Sequence, residues 1–335
     1  MRKMATIRQV DAITPIEGAD AIEVAQVGGW KVVVKKGEYQ PGDLAVYCEI
    51  DSWIPIEVAP FLQKGDRAYE FEGVIGNRLR TVKLRGQISQ GLLLPMAVAA
   101  GSEVGADVSE ILNIRKYEAP VPAQLAGDVN GTFPSFVPKT DQERIQNLSA
   151  ELAEWKGKNL TWEVTEKLDG SSMTVFLRDG EFGVCSRNYD LKRNEANSLW
   201  KTAIANNMEV KMRALGANIA IQGELIGEGI QGNPYKIRGQ QFYVYDVYDI
   251  DAGRYYNAHQ RQRLVKDLAL NHCPIMNAEF RLAADTTIDA LLAMAEAKTV
   301  MLDNGPEREG LVFKCIEIEA SFKAISNKFL LKTGG

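Results

Sequence analysis

Lys167 stands in the run Glu166-Lys167-Leu168-Asp169-Gly170-Ser171-Ser172. The residues before it, Thr161-Trp162-Glu163-Val164-Thr165, alternate polar and apolar and predict a strand. Lys167 and Asp169 are two apart, so on an extended chain they face the same side. Gly170 then permits a turn and a close backbone approach to a ligand. An amine, a neighbouring carboxylate and a glycine-opened turn are the parts of a covalent nucleotidyl-transfer site. The amine attacks phosphorus, the carboxylate holds a metal hydrate, and the turn leaves room for phosphates. The same short pattern also fits a surface hairpin with a solvated lysine, so its weight depends on what accompanies it.

An exposed lysine has a pKa of about 10.4 and is a poor nucleophile at neutral pH. Nearby positive charge lowers it; a divalent cation and a second lysine, Lys323, could supply that charge. Asp169, Glu224 and Glu309 have no evident partners in sequence. If their strands converge, they form a site for a magnesium ion that keeps several of its waters. Such an ion would spread the charge that develops at an attacked α-phosphate. Carboxylates alone do not choose between magnesium and manganese.

The elements that must position these groups fall into two regions, as a 335-residue chain suggests. Residues 1–118 read as all-β. Short runs at Ala5–Val10, Ile22–Val27, Lys31–Lys35, Leu44–Glu49, Arg78–Leu84 and Gly91–Leu94 are separated by turn residues. That pattern suits a small barrel such as an OB-fold. Lys35, Lys36, Arg78, Arg80, Lys83 and Arg85 make one edge basic, either a solvated strand face or a track for a nucleic-acid backbone. Residues 119–139 are rich in Pro and Gly and read as a linker. Thr140 and Glu143 have capping-box spacing, and Ile145, Leu148, Leu152 and Trp155 follow at helical spacing, predicting a helix there. Residues 140–335 then alternate strands with helices near 195–214, 257–270 and 286–298, giving an α+β chain.

Composition narrows the partners. The chain is 45% hydrophobic and 25% charged, ordinary for a globular protein, and its net charge of −5 gives no global attraction to nucleic acid. RNA or DNA would have to be met by local basic patches. Cys48, Cys185, Cys273 and Cys315 form no C-x-x-C pair and there are only two histidines, which predicts reduced thiols and no zinc site. No signal peptide or membrane-spanning run is evident, so a cytoplasmic location without membrane partners is expected.

Five further segments follow Lys167 in order: Ser186-Arg187-Asn188, Gly223-Glu224-Leu225-Ile226-Gly227, Phe242-Tyr243-Val244-Tyr245-Asp246-Val247-Tyr248, Glu309-Gly310-Leu311-Val312-Phe313-Lys314, and Ser321-Phe322-Lys323-Ala324-Ile325-Ser326-Asn327-Lys328. This ordered set resembles that of the covalent lysyl-nucleotidyltransferases: DNA ligases, RNA ligases and mRNA capping enzymes. Val164-Thr165-Glu166-Lys167 and the stretch from Gly223 to Gly232 look most like ATP-dependent RNA ligases. An all-β region ahead of the transferase region resembles their two-domain subgroup with an N-terminal OB module. The Lys139-to-Asn147 run fits that subgroup too.

The resemblance implies an N-terminal OB-like β-barrel followed by an antiparallel-sheet nucleotidyltransferase domain, an ATP-grasp-like ligase adenylation fold. It implies ATP as co-substrate, Mg²⁺ or Mn²⁺ as cofactor, and joining of RNA 3′-hydroxyl and 5′-phosphate ends, most naturally in a nicked duplex. Lys167 would carry AMP; Glu166 would accept from the adenine amine; Arg187 would contact ribose or phosphate; Tyr245 would stack on adenine; Lys323 would contact the α-phosphate. Asp169, Glu224 and Glu309 would hold the metal through waters. Many RNA ligases carry a second lysine two residues after the one matching Lys323. Here that position is Ile325, and the next lysine is Lys328. A DNA ligase, a capping guanylyltransferase and a decayed nucleic-acid-binding protein are the alternatives. In the first two the OB domain usually follows the transferase domain, and the last would have lost its lysine or acids.

Overall fold

A computed structural model of the chain describes residues 2–63, 65, 68–118 and 128–333. It divides into two compact units. The first comprises Met1–Pro120, Ile145–Leu152 and Asn327–Gly335; the second comprises Val121–Arg144 and Ala153–Ser326.

The first unit is built from short antiparallel sheets. Leu44–Cys48 lies between Ala5–Gln9 and Leu92–Pro95. Ile22–Val27 lies between Ala12–Pro15 and Trp30–Lys35. Val27 pairs with Trp30, so Gly28-Gly29 is a two-residue hairpin turn, and Gly28 takes φ +57°. Ile7, Val46, Cys48, Ile54, Leu94 and Val108 close a core between these sheets and their neighbours. The expected Arg78–Leu84 strand is divided. Val74–Arg78 pairs with Ser52–Pro55, and this ladder ends at Leu79, whose N–H and C=O bond Ser52 and Asp51. Val82–Leu84 then pairs instead with Gln87–Ser89. Arg85-Gly86 turns that hairpin with both φ angles positive.

The second unit carries an eight-stranded sheet and a four-stranded sheet. The larger centres on Ser171–Arg178 beside Ile219–Gly227, which pairs in turn with Gln240–Asp249. Met173, Val175, Ile221 and Val244 pack one face against Trp200 and Met212 from the helices Ser198–Ala205 and Met208–Leu215. The smaller runs Ile275–Arg281, Thr161–Lys167, Gly310–Cys315, Ser321–Ile325. Phe313 and Phe322 stack across it at 4.5 Å.

Three local expectations change. The helix expected near 195–214 is two, because Asn207 takes φ +52° between them. In the proline- and glycine-rich stretch, Val129–Thr132 forms a strand paired with Tyr189–Leu191; residues 119–127 lie outside the described residues. The capping box does not form. Helix Ser149–Lys156 begins later, after a turn of 3₁₀ helix at Ile145–Asn147. Thr140 gives its hydroxyl to a bond with Tyr245, and the Glu143 carboxylate accepts from the Arg144 N–H.

Candidate active site

Lys167 ends the Thr161–Lys167 strand opposite Gly310, so Glu309 arrives beside it from the neighbouring strand. Nζ of Lys167 meets Oε1 of Glu309 at 2.7 Å. Gly310 is required there, since a Cβ would collide with the Ala324 carbonyl. Burial by itself depresses the Lys167 pKa, but Glu309, Glu224 and Asp169 outweigh it and hold the amine above its ordinary value. The expected depression depends on a bound cation, and the protein's own groups act in the opposite direction. Acids surround the amine, and Lys323 is bound elsewhere, to Asp141.

Glu224 comes from the strand beside Ser171–Arg178, opposite Ser172. Gly170 permits this packing, because a Cβ would strike the Leu225 carbonyl and the Ile226 and Glu224 side chains. The glycine thus serves a close approach between strands. Asp169 is fixed by its backbone N–H, which donates to the Tyr235 hydroxyl at 2.7 Å. Burial, then the Glu309 charge, pushes the Asp169 carboxyl up to about 6; Lys167 opposes them. Burial pushes Glu224 up to about 8, with Glu309 and Asp169 adding to it and Lys167 and Arg187 opposing. Three acids that repel one another around a single amine are a donor set suited to a hydrated hard cation. No three His, Cys, Asp or Glu side chains among the described residues are close enough to grip an ion directly.

Glu166 faces away from Lys167 along the strand and is buried. Its carboxylate accepts from the Thr299 hydroxyl and from the Val300 N–H at 2.9 Å. Tyr245 is half-buried. Its hydroxyl lies 3.0 Å from Thr140 Oγ1 and 3.4 Å from Ser172 Oγ. Lys314 braces it from behind: Nζ donates to the Tyr245 carbonyl at 2.7 Å, sits 5.7 Å from the ring centre and pairs with Asp246 at 2.6 Å. Arg187 and Lys323 converge on Asp141, at 3.4 and 2.8 Å. Tyr235, Thr299, Lys314 and Asp141 were not singled out from sequence. Only Lys314 and Asp141 lie within motif runs.

Lys328 lies on the helix Asn327–Thr333, in the first unit. Lys35, Lys36, Arg80, Lys83 and Arg85 are exposed in that unit. Arg78 is half-buried, 2.5 Å from Asp51, with its guanidinium 4.9 Å from the Tyr117 ring centre.

A strand-borne lysine amid three acids, flanked by an aromatic ring and two cations on an antiparallel α+β scaffold, defines a lysyl-nucleotidyltransferase. Comparison with known proteins narrows the class. An OB-fold domain family matches residues 4–96, and the RNA ligase family matches residues 160–325. The solved RNA ligase of Naegleria gruberi with pyrophosphate is similar at 47% identity and a TM-score of 0.91, covering 99% of each chain. A substituted form with ATP and manganese aligns at the same identity and TM-score over 98% of this chain and 99% of that one. A substituted apo form does so over 99% and 98%. A search of curated proteins finds no match. The chain belongs to the RNA ligase family. No helix among the described residues is long and apolar enough to cross a membrane.

Proposed function

We propose that this RNA ligase seals a 5′-phosphate to a 3′-hydroxyl at a nick in duplex RNA, using ATP and passing AMP through Lys167. The observation that carries this is the Lys167 amine held among Glu309, Glu224 and Asp169. In the metal-free site the amine is a bound ammonium and does not attack. Asp169, Glu224 and Glu309 would hold a magnesium or manganese ion through its waters; the ion would supply positive charge that favours ionised acids and a neutral Lys167 amine, whose proton passes to solvent. The similar Naegleria enzyme has been solved with ATP and manganese, which supports that assignment.

Lys167 then bonds to the α-phosphorus through its nitrogen lone pair. The bond from that phosphorus to the bridging oxygen breaks, pyrophosphate leaves and AMP stays on the lysine. Lys323 and Arg187 contact the phosphates, Tyr245 stacks on adenine, and Glu166, fixed by Thr299 and Val300, accepts from the adenine amine. An RNA 5′-phosphate oxygen next takes AMP from Lys167. A 3′-hydroxyl attacks that activated phosphate and AMP departs. Lys35, Lys36, Arg80, Lys83 and Arg85 contact the RNA backbone.

The test is labelling with α-labelled ATP and magnesium, followed by denaturation and by sealing assays on nicked duplexes. Wild type should retain label and Lys167→Ala should not. An unlabelled wild type, or a labelled Lys167→Ala, refutes the reading.

A further inference from the structure

Pro138–Glu143 lies as an extended strap over the segments that carry the site. The Pro138 carbonyl accepts from Gln222 Nε2 at 3.0 Å, and Lys139 Nζ donates to Asn188 Oδ1 at 2.9 Å. Thr140 meets Tyr245, and the Glu143 carbonyl accepts from the Lys323 N–H at 2.9 Å. Asp141 sits in the middle. Its Oδ1 lies 2.8 Å from Lys323 Nζ and its Oδ2 lies 3.4 Å from Arg187 Nη2. One anion thus spans a lysine and an arginine through two oxygens, as the non-bridging oxygens of a phosphate would.

We infer that Asp141 is an internal stand-in for nucleotide phosphate: its carboxylate fills the Lys323–Arg187 cation pair in the empty enzyme and is displaced when triphosphate or pyrophosphate binds, which loosens the strap. The inference rests on the nucleotide site proposed above. Two anions cannot occupy one cation pair without mutual repulsion. The contact is also one that can be exchanged. The Arg187 side chain is 54% exposed and Asp141 is 31% exposed, so water screens their attraction, whereas Lys323 is 10% exposed and anchored in its strand. The fixed cation therefore remains while the acid leaves. Displacement also moves Thr140, the hydroxyl that orients Tyr245, so arrival of phosphate is linked to the ring on which adenine would stack.

An intramolecular competitor lowers apparent affinity by the fraction of time it holds the site. Full-length wild type, Asp141→Asn and Asp141→Ser are titrated with inorganic pyrophosphate, with the unreactive nucleotide α,β-methylene-ATP, and with adenosine. Both variants should bind pyrophosphate and the analogue about 3–10-fold more tightly and adenosine unchanged. In wild type, backbone amide exchange over residues 139–143 should rise when pyrophosphate is added, a measurement that needs no variant. Unchanged or weaker pyrophosphate binding by a folded variant, or exchange that is unchanged or falls in wild type, overturns the inference. Asp141 would then orient the cations without competing for them. If Lys167 carries AMP normally while these results are negative, only the stand-in role fails. If Lys167 carries no AMP, the ligase reading itself fails.

Discussion

Glu224→Gln should make the metal-free protein more stable and the enzyme inactive, and the gain should grow with pH. The folded carboxyl is raised from 4.5 to about 8, so the folded state binds this proton more tightly than the unfolded chain does. Below pH ~4.5 both states are protonated and the acid costs nothing. As pH rises towards 8 the unfolded chain ionises freely while the folded site resists, and stability is lost across that window. Linkage gives a loss of roughly 4 kcal/mol at pH 8 and about 1 kcal/mol at pH 5. Glu224 is half-buried, and solvent screening should halve these to about 2 and about 0.5 kcal/mol. Glutamine keeps the shape and removes the charge. Thermal melts in EDTA should then place the variant about 2–4 °C above wild type at pH 8 and within about 1 °C at pH 5. Saturating magnesium should narrow the gap by stabilising wild type more. A variant that melts at or below wild type at pH 8, with no widening from pH 5, refutes the claim that burial, with the neighbouring acids, holds the Glu224 carboxylate at a cost.

Gly170→Ala should prevent the close approach of Gly170 to Leu225, costing about 2–4 kcal/mol and most of the AMP transfer; a melt and transfer rate near wild type would contradict this. Lys83→Ala with Arg85→Ala should leave AMP loading of Lys167 intact and reduce the salt slope of RNA binding by up to ~2, read from binding isotherms at several salt concentrations; an unchanged slope removes these residues from the RNA contact. Arg261→Met should cost about 3–5 kcal/mol in denaturant unfolding, because it leaves the buried Glu163 without its close cation while Asp246 keeps Lys314; a cost under ~1 kcal/mol would mean that Glu163 finds another partner.

Alternation made Thr161–Thr165 legible as a strand, and its ladder runs on to Lys167. Lys167 was legible as chemistry from its spacing to Asp169 and Gly170, and Glu224 and Glu309 from the ordered segments that follow it. Tyr235 and Thr299 carried no local signal: they reach Asp169 and Glu166 from 66 and 133 residues away in sequence. Asp141 was hidden by a competing local signal. Thr140 and Glu143 have the spacing of a helix start, but the Thr140 hydroxyl finds its partner in Tyr245, 105 residues on. Capping spacing says that a hydroxyl wants a partner, not which partner it takes. The raised Lys167 pKa was unreadable for a related reason, since its sign depends on how many acids the fold gathers before any cation arrives.

The second unit carries another set of charges, in which Glu163, Asp246 and Arg261 are buried and the Lys314 side chain is 14% exposed. Glu163 and Lys314 face each other across the four-stranded sheet, Asp246 comes from the eight-stranded sheet, and Arg261 from the helix Ala258–Asp267. Arg261 bonds Glu163 and approaches Asp246 at 4.0 Å, Lys314 bonds Asp246, and Gln262 adds a bond to Glu163 at 2.5 Å. Two acids and two bases close a neutral set, so no net charge is buried, unlike the acid-rich cluster around Lys167. The difference follows from their tasks. A ligand-free site that must recruit a cation gains from uncompensated negative charge, and its support does not. Lys167 and Glu309 ride on one sheet and Glu224 and Tyr245 on the other. The buried quartet ties those two sheets at one place. Charged pairs lose much energy when drawn apart in a low-dielectric interior, whereas apolar contacts slide more freely. The ionic tie therefore links the sheet that carries the amine and Glu309 to the sheet that carries Glu224 and Tyr245.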